Sequence, residues 1–71
     1  MDRIIKTCTD NEASLLHELY TKPNSNCIYF IDVEGHNEYH YILVDDNSYR
    51  LEYKKLNGEL VFTGNAVEIE E

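Results

Sequence analysis

The sequence predicts an α+β fold: one helix packed on one face of an antiparallel β-meander, in the order β-α-β-β-β-β. Two observations predict it. Apolar residues recur at helical spacing only between residues 10 and 21, and from Cys27 onward the period falls to two, broken at short intervals by turn-forming residues. The 71 residues hold one small domain, with no internal repeat, linker or low-complexity segment.

The chain opens with "DRIIKTC", a short strand rich in branched side chains. Thr9-Asp10-Asn11-Glu12 then fits a capping box, in which the Thr9 hydroxyl accepts the Glu12 amide and the Glu12 carboxylate accepts the Thr9 amide. The helix that follows presents Ala13, Leu16 and Tyr20, with Leu15 and Leu19 alongside. Pro23 stops it, because the residue before a proline is pushed out of the helical region.

"CIYFIDV", "YHYILV", "SYRLEYKK" and "LVFT" read as successive strands, and Asn57-Gly58 is a strong type I′ hairpin signal. Three-residue loops at Gly35–Asn37 and Asp46–Ser48 would pair Glu34 with Glu38 and Asp45 with Tyr49, and a two-residue Asn57-Gly58 loop would pair Tyr53 with Phe62. This register gathers Tyr29, Ile31, Val33, Tyr39, Tyr41, Leu43, Tyr49, Leu51, Tyr53, Leu60 and Phe62 on one face, as a core for the helix. The other face would carry His40, Arg50, Glu52 and Lys54 beside Asp32, Glu34 and Glu38, with an apolar patch of Ile28, Phe30, Ile42, Val44 and Val61. The tail "AVEIEE" alternates like a further strand, and "DRIIKTC" is a candidate partner for it.

Charge is uneven along this frame. The net charge is −8, and residues 23–49 contribute five carboxylates, Asp32, Glu34, Glu38, Asp45 and Asp46, without a Lys or Arg. Residues 56–71 add Glu59, Glu68, Glu70 and Glu71, again without a cation. Direct binding to nucleic-acid phosphates requires the opposite sign, so the complement of this surface is a basic partner. Glu34 facing Glu38 across a strand pair would cost a few tenths to about 1 kcal/mol, a cost without structural return. Solubility alone also selects for net charge in small domains, and only the uneven placement argues for more than that.

Catalytic and cofactor signals are weak. His36 and His40 have an H-x-x-x-H spacing that binds metal on a helix, but here it spans a turn and a strand with no third ligand at useful spacing. Cys27 lies in an apolar strand without the cations that activate a thiol, and the two cysteines read as reduced thiols. "DDNSYRLEYKKL" lacks the glycine and glutamate of a calcium loop. The expectation is a protein that is not an enzyme and takes no cofactor. No apolar run reaches membrane-spanning length and the N-terminus lacks a signal-peptide core, which points to the cytoplasm.

In size, charge and strand content, and in the acidic stretches "FIDVEGHNEYH", "VDDNSY" and "VEIEE", the sequence resembles the small acidic early proteins by which phages occupy host DNA-binding surfaces. The resemblance covers the whole chain without a shared motif. It implies a mimic of DNA phosphates that inhibits a basic host protein, for example the histone-like HU. The partner-binding residues would be Asp32, Glu34, Glu38, Asp45 and Asp46, with Glu68, Glu70 and Glu71 as a second patch. The alternative is a regulatory module, an antitoxin-like inhibitor or a homodimer, that binds through the apolar patch.

Overall fold

A computed structural model describes residues 3–21 and 27–70. Strand β1 (Arg3–Thr7) leads into helix α1 (Asp10–Thr21), followed by β2 (Ile28–Glu34), β3 (Asn37–Val44), β4 (Asn47–Leu56) and β5 (Glu59–Glu70). The strands form one antiparallel sheet in the order β1-β5-β4-β3-β2. Strand accounts for 67% of this structure and helix for 19%, which overturns the α+β expectation in favour of a predominantly β architecture. The physical reason lies in the C-terminal third. "LVFT" and the acidic tail are one twelve-residue strand, which β4 and β1 flank on its two sides.

Helix α1 starts at the anticipated capping box: the Glu12 amide donates to Thr9 Oγ1 at 3.2 Å and the Thr9 amide to Glu12 Oε1 at 2.9 Å. Its last turn ends with the Thr21 hydroxyl on the His17 and Glu18 carbonyls. The stop assigned to Pro23 lies outside the described residues. Ala13 is buried against the sheet while Leu16 and Tyr20 pack at the margin of the core.

The first two hairpins turn more tightly than expected. Glu34 pairs with Asn37 across a two-residue Gly35-His36 turn, and Val44 pairs with Asn47 across Asp45-Asp46. Gly35, at φ 64°, occupies the first position of its turn, while Asp45 and Asp46 have φ of 51° and 67°. Two successive left-handed residues define a type I′ turn, whose twist matches the flanking strands. The third turn, Asn57-Gly58, has φ of 52° and 82° and leaves Tyr53 opposite Phe62 as anticipated.

Removing one residue from each of two successive turns inverts β3 and leaves its neighbours unchanged. His40, Ile42 and Val44 therefore face the helix, and Tyr39, Tyr41 and Leu43 lie on the other side. The core consists of Ala13, Ile42, Leu51, Tyr53 and Ala66, with Leu16, Tyr20, Ile28, Val44, Tyr49 and Phe62 at its margin. Ile42 is fully buried, which removes it from the expected exposed patch, and Ile28 and Val44 leave that patch to pack, partly buried, against the core. On the far face Tyr41, Ser48 and Ile69 are also buried, so the sheet is not a one-sided layer.

A bulge shapes β5. Between Leu51↔Ala66 and Tyr53↔Phe62, three residues, Thr63-Gly64-Asn65, stand opposite Glu52 alone. Gly64 adopts φ 92°, and the Glu52 carboxylate takes hydrogen bonds from Thr63 Oγ1 at 3.0 Å and Asn65 Nδ2 at 2.9 Å. The Asn65 bond is the largest influence on the Glu52 carboxyl and, with Thr63, Tyr39 and Lys54, holds it below its ordinary pKa although burial pushes the other way.

Candidate partner-binding surface

The expected acids separate into three environments. At one end of the sheet, Asp45 and Asp46 form the β3–β4 turn, and Glu68 and Glu70 stand two residues apart near the end of β5. Asp46, Glu68 and Glu70 border one shallow cavity of about 230 Å³ together with Ile5, Leu43 and Ile69, and the register sets Glu68 on the helix side, opposite Tyr49 and Lys6. The fold thus joins residues expected in two separate patches. Arg3 reaches Glu70 at 3.3 Å and Lys6 reaches Glu12 at 3.2 Å. Both are exposed pairs of the kind that contributes little to stability. Among the described residues, Lys6 lies near Glu68 as well as Glu12.

Asp32 and Glu34 stand elsewhere, on the far face of β2. Asp32 is in a row with Tyr39 and Glu52, and Glu34 in a row with Asn37 and Lys54. The Arg50 guanidinium lies 5.3 Å from the centre of the Tyr39 ring, which places a cation close to the Asp32 row.

Glu38 belongs to neither group. It lies on the helix side of β3, opposite Val33 and not Glu34, and its carboxylate is 3.2 Å from His40 Nε2 and 4.0 Å from Lys55 Nζ. The repulsive Glu34–Glu38 pair therefore does not form. Glu71 lies outside the described residues.

His17 and His40 serve packing. Buried His40 places Nδ1 2.8 Å from the Tyr20 hydroxyl, and His17 places Nδ1 2.7 Å from the Tyr53 hydroxyl while stacking on Phe62. Burial, with the nearby Cys27 and Glu38 adding to it, raises the Tyr20 pKa. Burial and the Tyr20 neighbour do the same for Tyr53. Both phenols thus keep their protons, and each shares a hydrogen bond with an imidazole nitrogen. His36 is exposed in its turn, with its carbonyl accepting the Lys55 amide. Among the described residues no group of three His, Cys, Asp or Glu side chains could hold a metal ion. Cys8 and Cys27 are half-buried thiols, and burial followed by nearby Glu12 raises the Cys8 pKa, which disfavours the nucleophilic thiolate.

The feature missed by periodicity is the edge strand β2. Alternation places Tyr29, Ile31 and Val33 in the core, yet they are exposed together with Phe30. Tyr29 and Phe30 pack their rings beside Tyr41, and Ile28–Ile31 line an open apolar depression. The near-continuous apolar run "IYFIDV" was the available signal, but such a run reads equally well as a central strand.

No described helix is long and apolar enough to cross a membrane. Comparison with protein-family models, curated proteins and solved structures finds no match to the chain.

Proposed function

We propose that the protein is a non-enzymatic acidic inhibitor that binds a basic DNA-binding protein in the cytoplasm, its carboxylates standing in for DNA phosphates. The observation that carries this reading is the placement of Asp46, Glu68 and Glu70 around one cavity at one end of the sheet, with Asp45 next to Asp46 in its turn. Carboxylates on a rigid hairpin turn and a paired strand need little ordering on binding, and a net charge of −8 accelerates encounter with a cationic groove. The resemblance to phage host-takeover proteins makes a histone-like protein such as HU the first target to test.

The test is competition: labelled duplex DNA bound to purified HU is titrated with the protein at several salt concentrations. Displacement that weakens steeply with salt, and that Asp45→Asn/Asp46→Asn/Glu68→Gln reduces at least tenfold, is expected. Displacement unchanged by that triple substitution, or none at low salt, overturns the reading for this target.

The exposed β2 favours a second reading, a regulatory module held by apolar contacts. A complex of that kind would be nearly indifferent to salt and sensitive to Phe30→Asp.

A further inference from the structure

Strand β2 is an edge of the sheet, since β3 flanks it on one side and no described strand on the other. Such an edge presents a row of backbone donors and acceptors to any extended chain. The opposite edge, β1, is blunted by a register shift between Ile4 and Lys6 and by the charged Arg3 and Lys6. From Phe30 to Glu34, β2 has no such break: its pairing with β3 runs residue for residue, without a cation or a proline. Phe30, Ile31 and Val33 are 55%, 47% and 60% exposed.

The charge on this strand selects its partner. Phe30, Asp32 and Glu34 lie on the far face, and Ile31 and Val33 on the helix face. The middle residue of the regular stretch is Asp32. A second copy pairing antiparallel over Phe30–Glu34 would put Asp32 directly against its own counterpart, a destabilising like-charge pair. A strand with Lys or Arg at alternate positions reverses that sign at both Asp32 and Glu34, while the residues between them cover Ile31 and Val33.

We infer that the outer edge of β2 is a docking site for an extended segment of a basic protein in which Lys or Arg alternates with aliphatic residues, added to the sheet as a sixth strand. The inference rests on the proposed function and deepens it: Asp32 and Glu34 fix a basic strand by its backbone, and Asp45, Asp46, Glu68 and Glu70 meet cations elsewhere on the same partner. Backbone pairing supplies affinity here, and the alternating pockets supply specificity.

The experiment uses the full chain and a capped peptide with the core Lys-Val-Lys-Ile-Thr, beside a control in which both lysines are glutamate. Amide hydrogen exchange at Phe30–Glu34 is expected to slow at least tenfold at saturating lysine peptide, with the glutamate control inert. Asp32→Asn/Glu34→Gln is expected to weaken the peptide at least fivefold at low salt. Unchanged exchange in β2, or slowed exchange confined to the Asp46–Glu68–Glu70 end, overturns the inference. So does sedimentation showing that the chain alone dimerises through β2. If HU displacement is lost in Asp45→Asn/Asp46→Asn/Glu68→Gln but unaffected by Asp32→Asn/Glu34→Gln, the proposed function stands and the β2 site falls.

Discussion

Nε2 of His40 lies 3.2 Å from the Glu38 carboxylate, on the helix side of the sheet, while Nδ1 of the same ring lies 2.8 Å from the Tyr20 hydroxyl. One buried imidazole thereby ties α1 to β3 and draws Glu38 away from the acidic surface. His40→Ala should cost about 2–4 kcal/mol, since it opens a cavity and strips partners from two polar groups. Tyr20→Phe should cost about 1 kcal/mol, and the double variant less than the sum of the two. Urea unfolding midpoints with unchanged slopes would measure all three.

Strand β3 buries Ile42 and exposes Leu43. Ile42→Ala should therefore destabilise by about 2–5 kcal/mol and Leu43→Ala by less than about 1 kcal/mol. The three-residue loops expected from periodicity imply the reverse ranking, so the pair of thermal denaturation curves tests the register directly.

The Asp45-Asp46 turn holds two non-glycine residues at positive φ, where Asn-Gly is better suited. Asp45→Asn/Asp46→Gly should raise stability by about 1 kcal/mol, as glycine relieves the left-handed strain at the second position. Under the proposed function the same variant should displace DNA from HU less well. A more stable but weaker competitor would show that these carboxylates are kept for binding.

Acid should loosen the β5 bulge. Because the folded state holds the Glu52 carboxyl below its ordinary value of 4.5, its contribution is complete above that pH. It is lost as pH falls through the lower folded value. Glu52→Gln should flatten the acid limb of the stability profile below pH ~4.5, read by urea midpoints across pH. At the alkaline end the sign reverses. Tyr20, Tyr49 and Tyr53 are raised above their ordinary value of 10.0, chiefly by burial. The fold favours their neutral phenols, so this contribution is complete below pH 10 and is lost as pH rises through the folded values.

Local chemistry was legible in the sequence wherever the determinant lay within a few residues. The Thr9–Glu12 capping box set the start of α1, Asn57-Gly58 set its hairpin, and the change from helical to alternating period after the helix separated α1 from the strands. The uneven charge was equally open to reading. What only the tertiary structure decided is which way each side chain points. Two-residue and three-residue turns differ little in local sequence, but each choice inverts every side chain of the next strand. Two such inversions sent Ile42 inward and Tyr39 outward, put Glu38 under His40, and left Ile31 and Val33 on their expected face. Those last two side chains are nonetheless exposed, because being at an edge depends on which strands pair, and the pairing of β1 with β5 across the length of the chain put β2 on the outside.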